Sequence, residues 1–333
     1  MPNSLGDASL PAYMTVRTAD DHRRVAARAV SWTALDWAVV LYAIFVALVA
    51  VAWAVPKWPY ILAGHAALVI AILFLPPRGA AWEEPGLNES PWRSSARRTV
   101  RFFRYTYPAL LLTLFFEEVS LTVNAAATGA PYWFETYLYD ADRMLFGGVP
   151  AVMLSQAGNT VLDEVMHAFH FSYYIMIISG IIIAWNGERG DRTPGRGFQT
   201  TITCMMLGFF LSYVWYPFLP ARGPWEHPEV MAGLRSFGSG WIFTPLLKLI
   251  MAGAAVSGAC FPSAHVSGTW ALVFGLFAAN RRAAVVMGVV AMGLSVACVY
   301  LRYHHAVDVF AGFAVAAVAG VIGYVLTRRS RLP

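Results

Sequence analysis

Eight stretches of about twenty mostly apolar residues, each long enough as a helix to cross a hydrocarbon core of ~30 Å, set the first limit on what this chain can fold into. They run Leu35 to Val55, Trp58 to Leu75, Tyr105 to Ala127, Val165 to Trp185, Thr200 to Leu219, Ser263 to Ala279, Ala283 to Leu301 and Ala306 to Leu326. Inside a bilayer the backbone must satisfy its own polar groups, so runs of this length are expected as helices. Only 13% of the 333 residues are charged and 58% are hydrophobic, far from the make-up of a soluble domain. The expected fold is therefore all-α, a polytopic membrane protein with about eight transmembrane helices.

The first thirty residues are polar and hold no short apolar core with a cleavage site, so no removable signal peptide is expected. The first span would serve as its own insertion signal. Cys204, Cys260 and Cys298 lie in or beside apolar segments at no metal-ligand spacing, and read as packing residues. The net charge of +5 does not imply nucleic acid, because the basic residues are distributed by loop rather than along one face. With an N-terminus in the cytoplasm, 18 of the 24 Lys and Arg residues fall on that side, among them Arg17, Arg78, Arg196, Arg281, Arg282 and Arg328. Lys57, Arg143, Arg222, Arg235, Lys248 and Arg302 remain outside, an asymmetry that places both termini in the cytoplasm.

Five regions follow: a cytoplasmic arm (1–34), two leading spans (35–76), a polar, turn-rich linker (77–104), a six-helix membrane domain (105–327) and a cytoplasmic tail (328–333). Two outer connections are too polar to span. "PYWFETYLYDADRMLFGGVP" reads as a short interfacial helix or re-entrant piece, and the stretch from Pro220 to Cys260 carries an apolar part around "WIFTPLLKLIMAG".

Polar residues gather at one level. Pro262 suits the first turn of a helix, so "FPSAH" reads as a helix start whose free N–H groups, with Ser263 and His265, form an anion site. That helix runs inward, turns at "ANRR", and the next returns to "YLRYHHAVD"; two helices of ~20 residues bring His265 and His304 to the same depth. His304 and Asp308 stand four apart, which stacks them on one helical face and lets the carboxylate hold the imidazole by its far nitrogen. Arg222 and Arg302 fall at the same outer level, giving a set suited to a phosphate ester. Metal binding by His304, His305, Asp308 and His265 is disfavoured because adjacent residues project to different faces, so no metal and no cofactor is expected.

"FPSAH" and "HHAVD" resemble the second and third signature motifs of the type 2 phosphatidic acid phosphatase superfamily, whose members share a six-helix core. The resemblance covers about Tyr105 to Leu326 and is most specific from Phe261 to Asp308. It implies that His304 attacks phosphorus to form a phosphohistidine, Asp308 orients it, His265 protonates the leaving oxygen, and Ser263 with neighbouring amides holds the phosphate. Two departures stand out. The usual Ser-Arg pair falls on Ala297 and Cys298, and Trp215 stands where the first motif has lysine, with Arg222 as its surviving cation. Arg302, four residues after Cys298, is the expected replacement for the lost phosphate contact. "YLRYHHAVDV" also resembles inositol phosphorylceramide and sphingomyelin synthases, which pass a phospho-headgroup to an alcohol; "FHFSYY" and "DADRMLFGGVP" do so more weakly.

Four further polar residues are candidates for substrate binding. Glu117 and Glu118 lie in an apolar run and must pair with another helix, stay protonated or line a polar cavity beneath the site. His167 and His170 either reach an acceptor headgroup or satisfy Asp163 and Glu164. The expected function is a metal-independent membrane enzyme that moves a phosphoryl group or phospho-headgroup from a phospholipid or lipid phosphate, at the outer face. The acceptor is a polyol such as an inositol, or water in a plain lipid phosphatase. A transporter or scramblase is the rival of another class, and it calls for polar residues spread through the membrane depth rather than gathered at one end.

Overall fold

Burying apolar side chains while closing every backbone hydrogen bond within one segment yields a helical chain, and the computed structural model has no strand among its described residues, 32–75, 90–129, 133–187, 195–232 and 234–329. An isolated bridge between Ala221 and Ala259 is the nearest approach to sheet. The expectations for the N-terminal arm, the loop arginines Arg78, Arg189 and Arg192, and the end of the tail lie outside the described residues.

The helices are α1 (Ala34–Ala52), α2 (Trp58–Phe74), α3 (Pro91–Leu110), α4 (Leu112–Gly129), α5 (Glu135–Phe146), α6 (Pro150–Gln156), α7 (Thr160–Asn186), α8 (Arg196–Tyr213), α9 (Phe243–Ala254), α10 (Ala264–Leu276), α11 (Arg281–Tyr300) and α12 (Ala306–Arg329), with a single turn at Pro228–Met231. Five segments are long and apolar enough to span a bilayer: Ala34–Ala52, Pro91–Val123, Thr160–Asn186, Arg281–Tyr300 and Ala306–Arg328. Of the other three expected spans, α2 and α10 are shorter apolar helices, and α8, rich in Thr and Gly, is helical but less apolar.

The stretch expected as a turn-rich linker is helical from Pro91 onward. Proline at the first helical position has no N–H to lose, and the arginine-rich run that follows has one face for the protein and one for water. Arg104 on that face reaches a buried Asp36 at 3.1 Å, and Tyr107 donates to the same carboxylate at 3.0 Å. Asp36 also closes the capping box with Thr33 at the start of α1. Tyr42 then stacks on Phe210 with ring centroids 4.5 Å apart, fixing α1 against α8.

α10 is the hub, packed on α7, α8, α11 and α12. Small residues permit this closeness: a β-carbon on Gly208 of α8 would stand 2.7 Å from the Ser267 carbonyl of α10. Ser212 and Ser267 share a hydrogen bond of 2.6 Å across the same seam. Gly312 of α12 makes a matching approach to the Ser263 carbonyl, which draws α12 onto the start of α10.

α10 differs from its expected form in two respects. Pro262 precedes the cap instead of entering the first turn, and Ser263 is the N-cap residue, its hydroxyl accepting from the Val266 N–H at 3.4 Å. The helix has 13 residues against 20 for α11, so the pair are not of equal length. The two histidines nevertheless meet.

Candidate functional site

His304 lies in the short link between α11 and α12. α11 ends in a Schellman motif: the Tyr303 N–H bonds back to the Cys298 carbonyl at 3.1 Å and the Arg302 N–H to Val299 at 2.9 Å. Arg302 occupies the left-handed position of that motif, with φ +66°. The reversal aims His304 at α10, where its Nε2 stands 3.4 Å from His265 Nδ1. The other ring nitrogen, Nδ1, lies 3.1 Å from the Cys260 carbonyl and 3.5 Å from Asp308 Oδ2. A proton on Nδ1 donates best to the nearer carbonyl, which leaves the Nε2 lone pair facing His265. Asp308 and the Cys260 carbonyl thus face the same ring nitrogen.

The Asp308 carboxylate binds chiefly elsewhere. Its Oδ2 accepts the His305 N–H at 2.9 Å and the Cys260 thiol at 2.8 Å. Burial and the Asp308 charge push the Cys260 thiol well above its ordinary value, so it stays protonated as that donor. Cys260, His304 and Asp308 offer ligand atoms within 4.8 Å of one another, but the thiol proton already joins two of them. The Ser263 N–H donates to the Asp308 backbone carbonyl at 3.3 Å, tying the α10 cap to the same turn.

Asp142 of α5, unnoticed in the sequence, caps α12 by accepting from Val307 N at 3.1 Å and Ala306 N at 3.2 Å. It also lies 3.7 Å from His305 Nδ1. Burial works against a charge on His305, but Asp142 and the Asp308 charge outweigh it and raise the imidazole above 6.5. A raised folded value contributes stability that is complete below about pH 6.5 and is lost as pH rises through the shifted value. Melting temperature is therefore expected to fall on going from pH 6.5 into the alkaline range. Asp142→Asn should flatten that slope, which a pH series of thermal melts on both proteins would measure.

The two arginines do not reach the histidines. Arg222 is engaged by Glu135, with Nη2 at 2.6 Å and Nε at 2.8 Å from Oε1, and its guanidinium lies over the Trp133 ring. Arg302, expected to project from the same helical face as Cys298, is past the helix end and buried in the opposite direction. Its Nε donates to Ser155 at 2.9 Å, its Nη2 to the Arg235 carbonyl at 2.8 Å, and its plane covers Phe237 at 4.4 Å. Cys298 itself is enclosed by Val266 and Leu294.

Asp163 and Glu164 are satisfied without His167 or His170. Arg235 grips Asp163 with two contacts of 2.6 Å, and Glu164 accepts the backbone N–H groups of Trp241, Ile242, Phe243 and Thr244 at the start of α9. His167 is held by the Asp163 carbonyl at 2.6 Å and by Thr244. His170, 1% exposed, has no hydrogen-bond partner among the described residues and packs between His265 and Tyr303, at centroid distances of 4.9 and 4.8 Å. It backs the site rather than opening onto it.

His265 looks into a cavity of about 320 Å³. Apolar and aromatic side chains of α4, α7, α8 and α9 line it, among them Phe116, Tyr173, Ile177, Tyr213 and Met251, together with Glu117. Glu118 pairs with the buried His65 of α2 at 3.0 Å, and both glutamates border a second cavity of about 460 Å³ there. Trp215 is half exposed at the end of α8.

A helical membrane chain in which His265, beside His304, borders an apolar cavity defines the class of protein. Residues 136–322, more than half of the chain, match the family model of the PAP2 superfamily, and the chain belongs to that superfamily. Its function is accordingly of the lipid phosphatase or phosphotransferase type, acting on a lipid phosphate in a membrane. No curated protein and no solved structure matches it significantly.

Proposed function

We propose that this protein transfers a phosphoryl group or phospho-headgroup from a lipid through a covalent phosphohistidine at His304, without a metal. The observation that carries this reading is the His304 Nε2 to His265 Nδ1 approach of 3.4 Å at the end of an apolar cavity. In the first step Nε2 attacks phosphorus, a P–N bond forms, and the P–O bond to the lipid alcohol breaks. The leaving oxygen takes its proton from His265, which acquires that proton together with the anionic lipid phosphate. In the second step an incoming hydroxyl gives its proton to His265 and attacks phosphorus, which releases His304. Water as acceptor yields a phosphatase; an alcohol such as a polyol yields a phosphotransferase, the reading favoured by the resemblance of "YLRYHHAVDV" to inositol phosphorylceramide synthases. Ser263 and the first amides of α10 are the proposed phosphate ligands, and Arg222 is the nearest cation in sequence to a family phosphate-binding motif.

The proposed orientation puts this site at the outer face. Arg196, Arg281, Arg282 and Arg328 all stand at the helix ends away from His265 and His304, which supports a cytoplasmic position for those ends. The experiment that tests the activity is an assay of the purified chain against lipid phosphates and phospholipids, with and without an inositol acceptor. A transferase should form phosphoinositol at the expense of free phosphate; a phosphatase should release the same phosphate with or without the polyol. Turnover that disappears with chelator and returns with a divalent cation would overturn the metal-independent route.

A further inference from the structure

Among the lining side chains of the 320 Å³ cavity, Glu117 and His265 are the two that are acid or imidazole; the polar remainder is tyrosine, threonine and tryptophan. His265 belongs to the reaction proposed above. Glu117 does not, and among the described residues its carboxylate has no hydrogen bond or ion pair, whereas its neighbour Glu118 pairs with His65. Glu117 is exposed and also borders a second cavity of about 460 Å³ beside Glu118 and His65; at membrane depth a carboxylate without a donor is costly unless a ligand supplies one.

Its depth can be read along α4. Val123 meets Gly258 of the loop leading to Cys260, so close that a β-carbon on Gly258 would collide with it, and this sets Val123 near the level of the histidines. Glu117 precedes Val123 by six residues on the same helix, about 9 Å along the axis and further from the site loop. A lipid with its phosphate at His265 and His304 places its linkage region, between headgroup and chains, beside that carboxylate.

Resting on the phosphoryl-transfer reading of the site, we propose that Glu117 is a specificity-determining residue that selects lipids carrying a hydrogen-bond donor, a free hydroxyl or an N–H, in the linkage region. A carboxylate only accepts. Ester-linked diacyl lipids present only acceptors at this depth, and would offer Glu117 no donor. A lipid hydroxyl or amide N–H pairs with it and keeps the remaining wall apolar.

The test uses the full chain in detergent micelles and two single-chain lipids of equal length. One is a 1-acylglycerol 3-phosphate with its free 2-hydroxyl, the other its 2-deoxy analogue; binding is measured with their non-hydrolysable phosphonates and turnover with the phosphates. Wild-type protein should bind the hydroxyl lipid at least about tenfold more tightly, the worth of one hydrogen bond to a charged group. Glu117→Leu should bind both lipids alike, and Glu117→Gln should keep part of the preference through its amide carbonyl. Equal affinities in wild type, or a preference that persists in Glu117→Leu, would overturn the role of Glu117 and leave the phosphoryl-transfer reading standing. A binding preference with no turnover of either phosphate would support Glu117 and count against the reaction instead.

Discussion

His304→Ala is expected to lower kcat by about four to six powers of ten, the scale on which removal of a nucleophile abolishes a covalent route. Rapid acid-free quenching with a phosphorus-labelled lipid should trap an alkali-stable, acid-labile phosphoprotein in wild type and none in this variant. His265→Ala should behave differently, because its part is proton transfer to the leaving oxygen. It should cost about two to four powers of ten with a lipid alcohol and far less with a phenolic leaving group that departs unprotonated. The geometry behind this separation is the single approach of His304 Nε2 to His265 Nδ1, with the opposite His304 nitrogen occupied by the Cys260 carbonyl and Asp308. Undiminished turnover in His304→Ala would end the phosphohistidine mechanism.

Arg302→Ala is expected to act on stability, by about 2–4 kcal/mol, with kcat/KM per folded molecule changed less than about threefold. Arg302 is 2% exposed and its guanidinium is spent on Ser155, the Arg235 carbonyl and the Phe237 face, so its loss leaves buried acceptors without donors. Arg302→Lys should not restore it, since one ammonium cannot span both acceptors and cover a ring. Arg302→Gly should be milder than Ala by about 1 kcal/mol, because glycine adopts φ +66° without a steric penalty. Denaturation midpoints and specific activities of the three variants check this. A fall of two powers of ten in kcat/KM at unchanged stability would return the guanidinium to the phosphate.

That reversal for Arg302 shows where sequence reading stops. The helical count from Cys298 to Arg302 is sound only while the helix continues, and α11 ends at Tyr300 in a cap that reverses the chain. Nothing local marks the stop, because the usual glycine of such a cap is replaced by Arg302 itself. The pairings of Asp142, Glu135 and Glu164 leave no mark in the sequence for a related reason. Each is a carboxylate whose partner is a backbone N–H or an arginine more than seventy residues away, and spacing carries no trace of such a pairing. The acidic residues among the aromatics of "FETYLYDADR" were the one available signal.

The sequence by itself determined the membrane class and the helical content. These follow from apolar run length and from helical rise, which are local properties of the chain. Only the tertiary structure decided which atoms face each other: the Cys260 carbonyl against His304, Glu135 on Arg222, His65 on Glu118, and Glu117 left to the cavity. A long side chain goes to whichever partner the packing of distant helices brings within reach, and that choice is made by the close approach of α8, α10 and α12 at their small residues rather than by any neighbour in the sequence.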